Sequence, residues 1–128
     1  MSNRSKPTPE ELQADLDQFI GGDDLIRHWT KRLLYTEGVN YLAEQAGAFW
    51  LIDAVASYQP EAVIRQSGRL QSFQLWRLEV ADRKAVLECR EDSGQPAKIR
   101  QEIEYTDFPL AEFEWFVCGG VMMLKNEY

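Results

Sequence analysis

Asp53 stands in an otherwise apolar run, Ala48-Phe49-Trp50-Leu51-Ile52-Asp53-Ala54-Val55-Ala56. An ionised carboxylate in such surroundings needs a cation, several hydrogen-bond donors or a raised pKa that leaves it neutral. Arg27, Arg32, Arg77 and the single histidine, His28, are the candidate partners. On a 3.6-residue repeat Asp53 shares a stripe with Ala46, Trp50 and Ser57, so it either faces the core or, with Ser57, forms a narrow polar strip at a helix edge. Perturbed carboxylates occur in ion-pair networks as well as in active sites, and a structural role is expected ahead of a catalytic one.

The other catalytic patterns are weaker. Ser57, His28 and Asp53 formally spell a triad, yet the chain has no Gly-x-Ser-x-Gly elbow, and Ser57 falls on the same helix as its Asp. Cys118 adjoins Gly119-Gly120, with nothing local to lower its pKa. Glu44 lies seven residues after Glu37 with Tyr41 between them, a spacing common on any solvated helix. One histidine and two cysteines outside a Cys-x-x-Cys arrangement give no metal pattern, and no phosphate-cradling glycine motif occurs. No cofactor is expected.

The whole chain narrows the classes further. Its 128 residues suit one domain. The net charge of -7 is evenly spread, with 9 acids against 5 bases in residues 1 to 59 and 12 against 9 thereafter. Direct binding to nucleic acid or an anionic membrane is therefore not expected, because both call for a basic stripe. With no signal-like start and no apolar run near the ~18 residues of a membrane span, a cytoplasmic location follows. Cys89 and Cys118 then read as buried small hydrophobes rather than a bridge.

These residues must be positioned by a definite set of elements. Residues 1 to 7 read as a disordered tail before a single domain over 8 to 128. Thr8-Pro9-Glu10-Glu11 is a helix start; Leu12, Leu16 and Phe19 form its buried stripe, and Gly21-Gly22 is its stop. Residues 23 to 35 fit helix or strand, with a strand favoured in the latter half. Thr36-Glu37-Gly38 turns into a helix bearing Val39, Leu42, Ala43 and Ala46, which Gly47 separates from an apolar core helix over 48 to 58.

From Leu70 the period becomes two, giving strands near 73–80, 84–90 and 98–105, with one or two more over 112–125. An α+β fold follows, in two layers. The N-terminal helices pack on one face of an antiparallel sheet formed by the C-terminal half, with a meander expected as its strand order.

The block LLYTEGVNYLAEQAGAFWLIDAVASYQ from Leu33 to Gln59, with FQLWRLEV from Phe73 and YTDFPL from Tyr105, resembles a family of small, uncharacterised single-domain bacterial proteins found in cyanobacteria and on mobile elements. That resemblance implies no catalytic residues.

The expected function is a non-enzymatic protein-interaction or accessory module. Tyr41, Trp50 and Asp53 are its first binding candidates, while Phe108, Phe113 and Trp115 in an acidic aromatic stretch are expected as interface anchors, most commonly of a homodimer. The alternative for that stretch is a loop and strand whose aromatics enter the core. The competing functions are a small hydrolase or ligand-binding protein, with Asp53 or Glu44 as acid or base beside His28, Tyr35 or Arg77, and an acidic mimic of nucleic acid.

Overall fold

The computed structural model of the protein describes residues 7–21 and 24–128. The expected tail, apart from Pro7, and the expected helix stop at Gly22 lie outside those residues.

Helix α1 spans Pro9–Leu16, and its start is the one its sequence encodes. Thr8 accepts from the Glu11 amide while Glu11 Oε1 accepts from the Thr8 amide, a reciprocal capping box. The helix ends before Phe19, whose ring packs on the core from the following turn. Asn126 Nδ2 donates to the carbonyls of Leu16 and Phe19, tying the end of the helix to the C-terminal turn of the chain.

Strands β1 (Leu25–Arg27) and β2 (Leu34–Thr36) form a short antiparallel hairpin. Thr36 then caps α2 (Glu37–Ala46) by accepting from the Val39 amide, and Gly47 ends the helix with φ +61°, a conformation that a Cβ would penalise. Helix α3 (Phe49–Tyr58) buries Leu51, Ile52, Val55 and Ala56. It is not apolar-packed all round, since Phe49, Asp53 and Ser57 form an exposed stripe at i, i+4 and i+8. Two short helices follow, α4 (Ala62–Arg65) and α5 (Gly68–Ser72), so the period-two region expected from Leu70 begins three residues later, at Phe73.

The remaining strands are β3 (Phe73–Ala81), β4 (Lys84–Arg90), β5 (Ala97–Ile103), β6 (Glu112–Cys118) and β7 (Val121–Leu124). Together with the hairpin they form one seven-stranded sheet in the order β1-β2-β7-β6-β3-β4-β5. The architecture is α+β, and the sheet is mostly antiparallel. Two features of the expected sheet need correction. It is mixed, because β2 runs parallel to β7, and it is not a simple meander, because β6 returns to pair with β3. The reason lies in polarity: β5 buries only Ile99 and presents Lys98, Arg100 and Glu102, which suits an edge strand, whereas β6 carries Trp115 and Val117 and belongs in the interior.

The core lies between the helices and one sheet face. Trp76 and Trp115, cross-strand partners on β3 and β6, stack with centroids 6.3 Å apart and are both fully buried. Trp76 Nε1 donates to Gln74 Oε1 at 2.8 Å, while the Trp115 indole N–H has no acceptor among the described residues. On the opposite sheet face Arg77 pairs with Glu79, Glu112 and Glu114, and Phe73, Phe116 and Tyr128 form an aromatic cluster.

Candidate functional site

The β1–β2 hairpin closes with the His28 amide donating to the Leu33 carbonyl and the Lys31 amide to the His28 carbonyl, both at 2.8 Å. Lys31 adopts φ +65°, a left-handed conformation that costs a non-glycine residue on the order of 1 kcal/mol or more. The six-residue segment Arg27-His28-Trp29-Thr30-Lys31-Arg32 is thereby held in one shape. Thr30 reinforces it, its hydroxyl accepting from the Arg32 amide at 3.3 Å.

Within this segment His28 turns inward and is 4% exposed. Its Nδ1 lies 3.2 Å from the Thr30 amide and 2.8 Å from Thr30 Oγ1. A backbone N–H can only donate, so Nδ1 is the acceptor and the ring hydrogen sits on Nε2. Nε2 then donates to Asp53 Oδ1 at 2.6 Å. Trp29 Nε1 donates to the same oxygen at 3.2 Å, and the indole lies against the imidazole with centroids 5.3 Å apart. Trp29 is nonetheless 78% exposed. One carboxylate on α3 therefore clamps a hairpin loop through two donors.

The surroundings add charge. Tyr35, buried on β2, has its phenol pKa raised by burial and by the negative charge of Asp53. Arg27, Lys31 and Arg32 have no carboxylate within 4 Å among the described residues, and with Leu33, Leu34 and Gly120 they line a cleft of about 250 Å³. In a chain of net charge -7 this is a local reversal of sign.

A family model matches residues 10–128, and the family is DUF6876, a family of unknown function. The chain belongs to DUF6876. No curated protein and no solved structure matches it. For this DUF6876 protein the site is defined by its geometry: an exposed indole, a buried imidazole against it and three cations on the same hairpin.

Of the residues singled out in the sequence, the fold joins Asp53 to His28 and places Tyr35 within reach of its charge. Asp53 does not face the core; its side chain is 53% exposed. Trp50, one turn earlier on α3, packs partly against the core.

The others are elsewhere. Tyr41 donates to Asp15 of α1 at 2.7 Å, and Glu44 accepts from Asn40 at 2.7 Å on the exposed side of α2. Ser57 Oγ donates to the Ala54 carbonyl at 2.6 Å and is no part of a triad. Arg77 belongs to the acidic network on the far sheet face. Phe108 and Trp115 are core residues at 4% and 0% exposure, and Phe113 packs against that core. The strand register turns Phe113 and Trp115 to the helix-covered face, so they pack inward rather than standing on the surface. Both cysteines are free, and burial raises the Cys118 thiol and pushes Cys89 up to about 12, against a nucleophilic role at neutral pH.

Trp29 and Thr30 were the residues that sequence reading missed as site members. A signal existed, because three of the five bases before residue 60 fall within the six positions 27 to 32. Charge counted over half the chain averages it away.

Proposed function

We propose that this DUF6876 protein is a non-enzymatic interaction module that docks onto another protein through the β1–β2 hairpin. The carrying observation is Trp29, which is 78% exposed yet fixed at its N–H by Asp53 and at its face by His28. An indole held in its bound orientation before contact loses little freedom on binding, and tryptophan flanked by arginine is a common energetic centre of interfaces. Arg27, Lys31 and Arg32 call for an acidic partner surface. The free cysteines support a reducing, cytoplasmic setting. A role as an accessory factor of a mobile element is part of the same proposal.

The test is site-directed photo-cross-linking in cells, with a benzophenone side chain at position 29 and, as control, at the exposed Lys98 on the other sheet edge. The proposal expects a protein adduct from position 29 and none from 98. Equal yields, or none from position 29, refute it.

A second reading has one observation in its favour. Thr30 Oγ1, His28 and Asp53 stand in the order nucleophile, base and orienting acid, with spacings of 2.8 and 2.6 Å. Against it, the Thr30 hydroxyl already serves the Arg32 amide and the imidazole is buried. Covalent labelling by a fluorophosphonate that disappears in Thr30→Ala would favour this hydrolase reading; an unlabelled wild type removes it.

A further inference from the structure

The molecule carries a surface that complements its own hairpin. A concavity of about 690 Å³ opens where β3 ends and β4 begins. Glu79, Glu102, Glu104 and Glu112 line it with a single cation, Lys84, and Val86 and Ile103 are among its apolar lining. Glu79 and Glu112 share Arg77, and Glu102 pairs with Arg100, whereas Glu104 has no cationic partner among the described residues. The concavity is thus acid-rimmed with an apolar share, roomy enough for an indole, and the hairpin offers an exposed indole among three cations.

The two surfaces cannot meet within one chain. The Leu34 amide donates to the Gly120 carbonyl, which places the hairpin loop beside the β6–β7 turn, and Cys118 at that turn is the cross-strand partner of Phe73 at the start of β3. The concavity lies at Val80 and Ala81, the other end of the same nine-residue strand, which at ~3.3 Å per residue is about 25 Å away.

We propose that the partner of the hairpin is a second copy of this chain, with Trp29 of one copy entering the acid-rimmed concavity of the next. This inference rests on the reading of the hairpin as a docking surface. The contact joins two different surfaces, so it is head-to-tail and propagates into rings or open chains rather than stopping at a two-fold dimer. Its charged rim makes it weaken with salt.

Sedimentation velocity of the full chain over a concentration series, at low and high salt, tests this. The expected result is a mass that rises past that of a dimer with concentration and falls with salt. Arg27→Glu with Arg32→Glu, and separately Glu102→Lys with Glu104→Lys, should each weaken association at least about tenfold. Mixing the two variants should restore a complex, because each supplies the surface the other has lost. All four positions are exposed, and circular dichroism confirms that each variant is folded.

A wild type that stays monomeric throughout overturns the inference; if position 29 still cross-links to a different protein, the docking role survives alone. Association that ignores both charge variants but is lost in Phe116→Glu places the contact on the open sheet face and overturns both. A single-stranded oligonucleotide bound by the wild type but not by Arg27→Glu with Arg32→Glu, with no self-association, also overturns both, in favour of nucleic acid.

Discussion

Asp53 carries the site because one of its oxygens receives two donors from a different part of the chain, His28 Nε2 and Trp29 Nε1. Removing the carboxylate charge weakens a charge-assisted bond to an imidazole that is otherwise cut off from solvent. Since Asp53 itself is half-exposed, water replaces part of what is lost. We therefore expect Asp53→Asn to cost about 1 kcal/mol in denaturant unfolding, and to be strongly non-additive with His28→Leu, because both substitutions break the same bond. Additive effects would show that the 2.6 Å contact does not hold the hairpin. The sequence made the need for a partner plain, since a carboxylate amid Phe49, Trp50, Leu51 and Ile52 required one. It did not choose His28 over three arginines, because that choice depends on a loop fixed by the Thr30 hydroxyl and a left-handed Lys31.

At the level of elements, α2 meets the chain's C-terminal turn with no space to spare. A Cβ on Gly38 would lie 2.7 Å from both Glu127 Oε1 and Leu124 Cδ1. Glu127 cannot simply swing away, since its Oε1 accepts from Thr36 Oγ1 and the Leu124 amide. Gly38→Ala, favourable to an isolated helix, should here destabilise by roughly 1–3 kcal/mol through overpacking; a variant as stable as wild type would show that this contact is loose. On the open sheet face, the Glu114 carboxyl is held below its ordinary range by a hydrogen bond from Lys125 and then by Arg77. A depressed folded-state pKa contributes stability that is present above the unfolded value, near 4.3, and is lost as pH falls through the folded one. Glu114→Gln should accordingly lower stability at neutral pH and flatten the acid limb, which unfolding from about pH 6 to about pH 2 will check; an unchanged limb would contradict the pairing. Helix caps, the helix break at Gly47 and the alternation of β4 and β5 were legible because each is set by local chemistry. The return of β6 to β3 and the parallel pairing of β2 with β7 were not, because non-local strand choice is settled by which neighbours bury Trp115 and Met122.

Over the whole molecule, the proposed docking residue Trp29 lies apart from the aromatic core. The aromatic-rich stretch from Tyr105 to Phe116 looked like a surface, yet Phe108 and Trp115 are buried, while the most exposed tryptophan lies in a segment whose periodicity was ambiguous. Such ambiguity has a physical source: residues 25 to 36 form two three-residue strands around a loop held by side-chain bonds, too short for either period to show. We propose that the hairpin around Trp29 is where this protein meets another chain. Hydrogen exchange read by mass spectrometry at low and high chain concentration tests it most directly. Exchange is expected to slow at high concentration in residues 25–36 and again in residues 79–86 and 102–112, and Trp29→Ala is expected to abolish both changes. Unchanged exchange in residues 25–36, or slowing confined to residues 116–128, would contradict it.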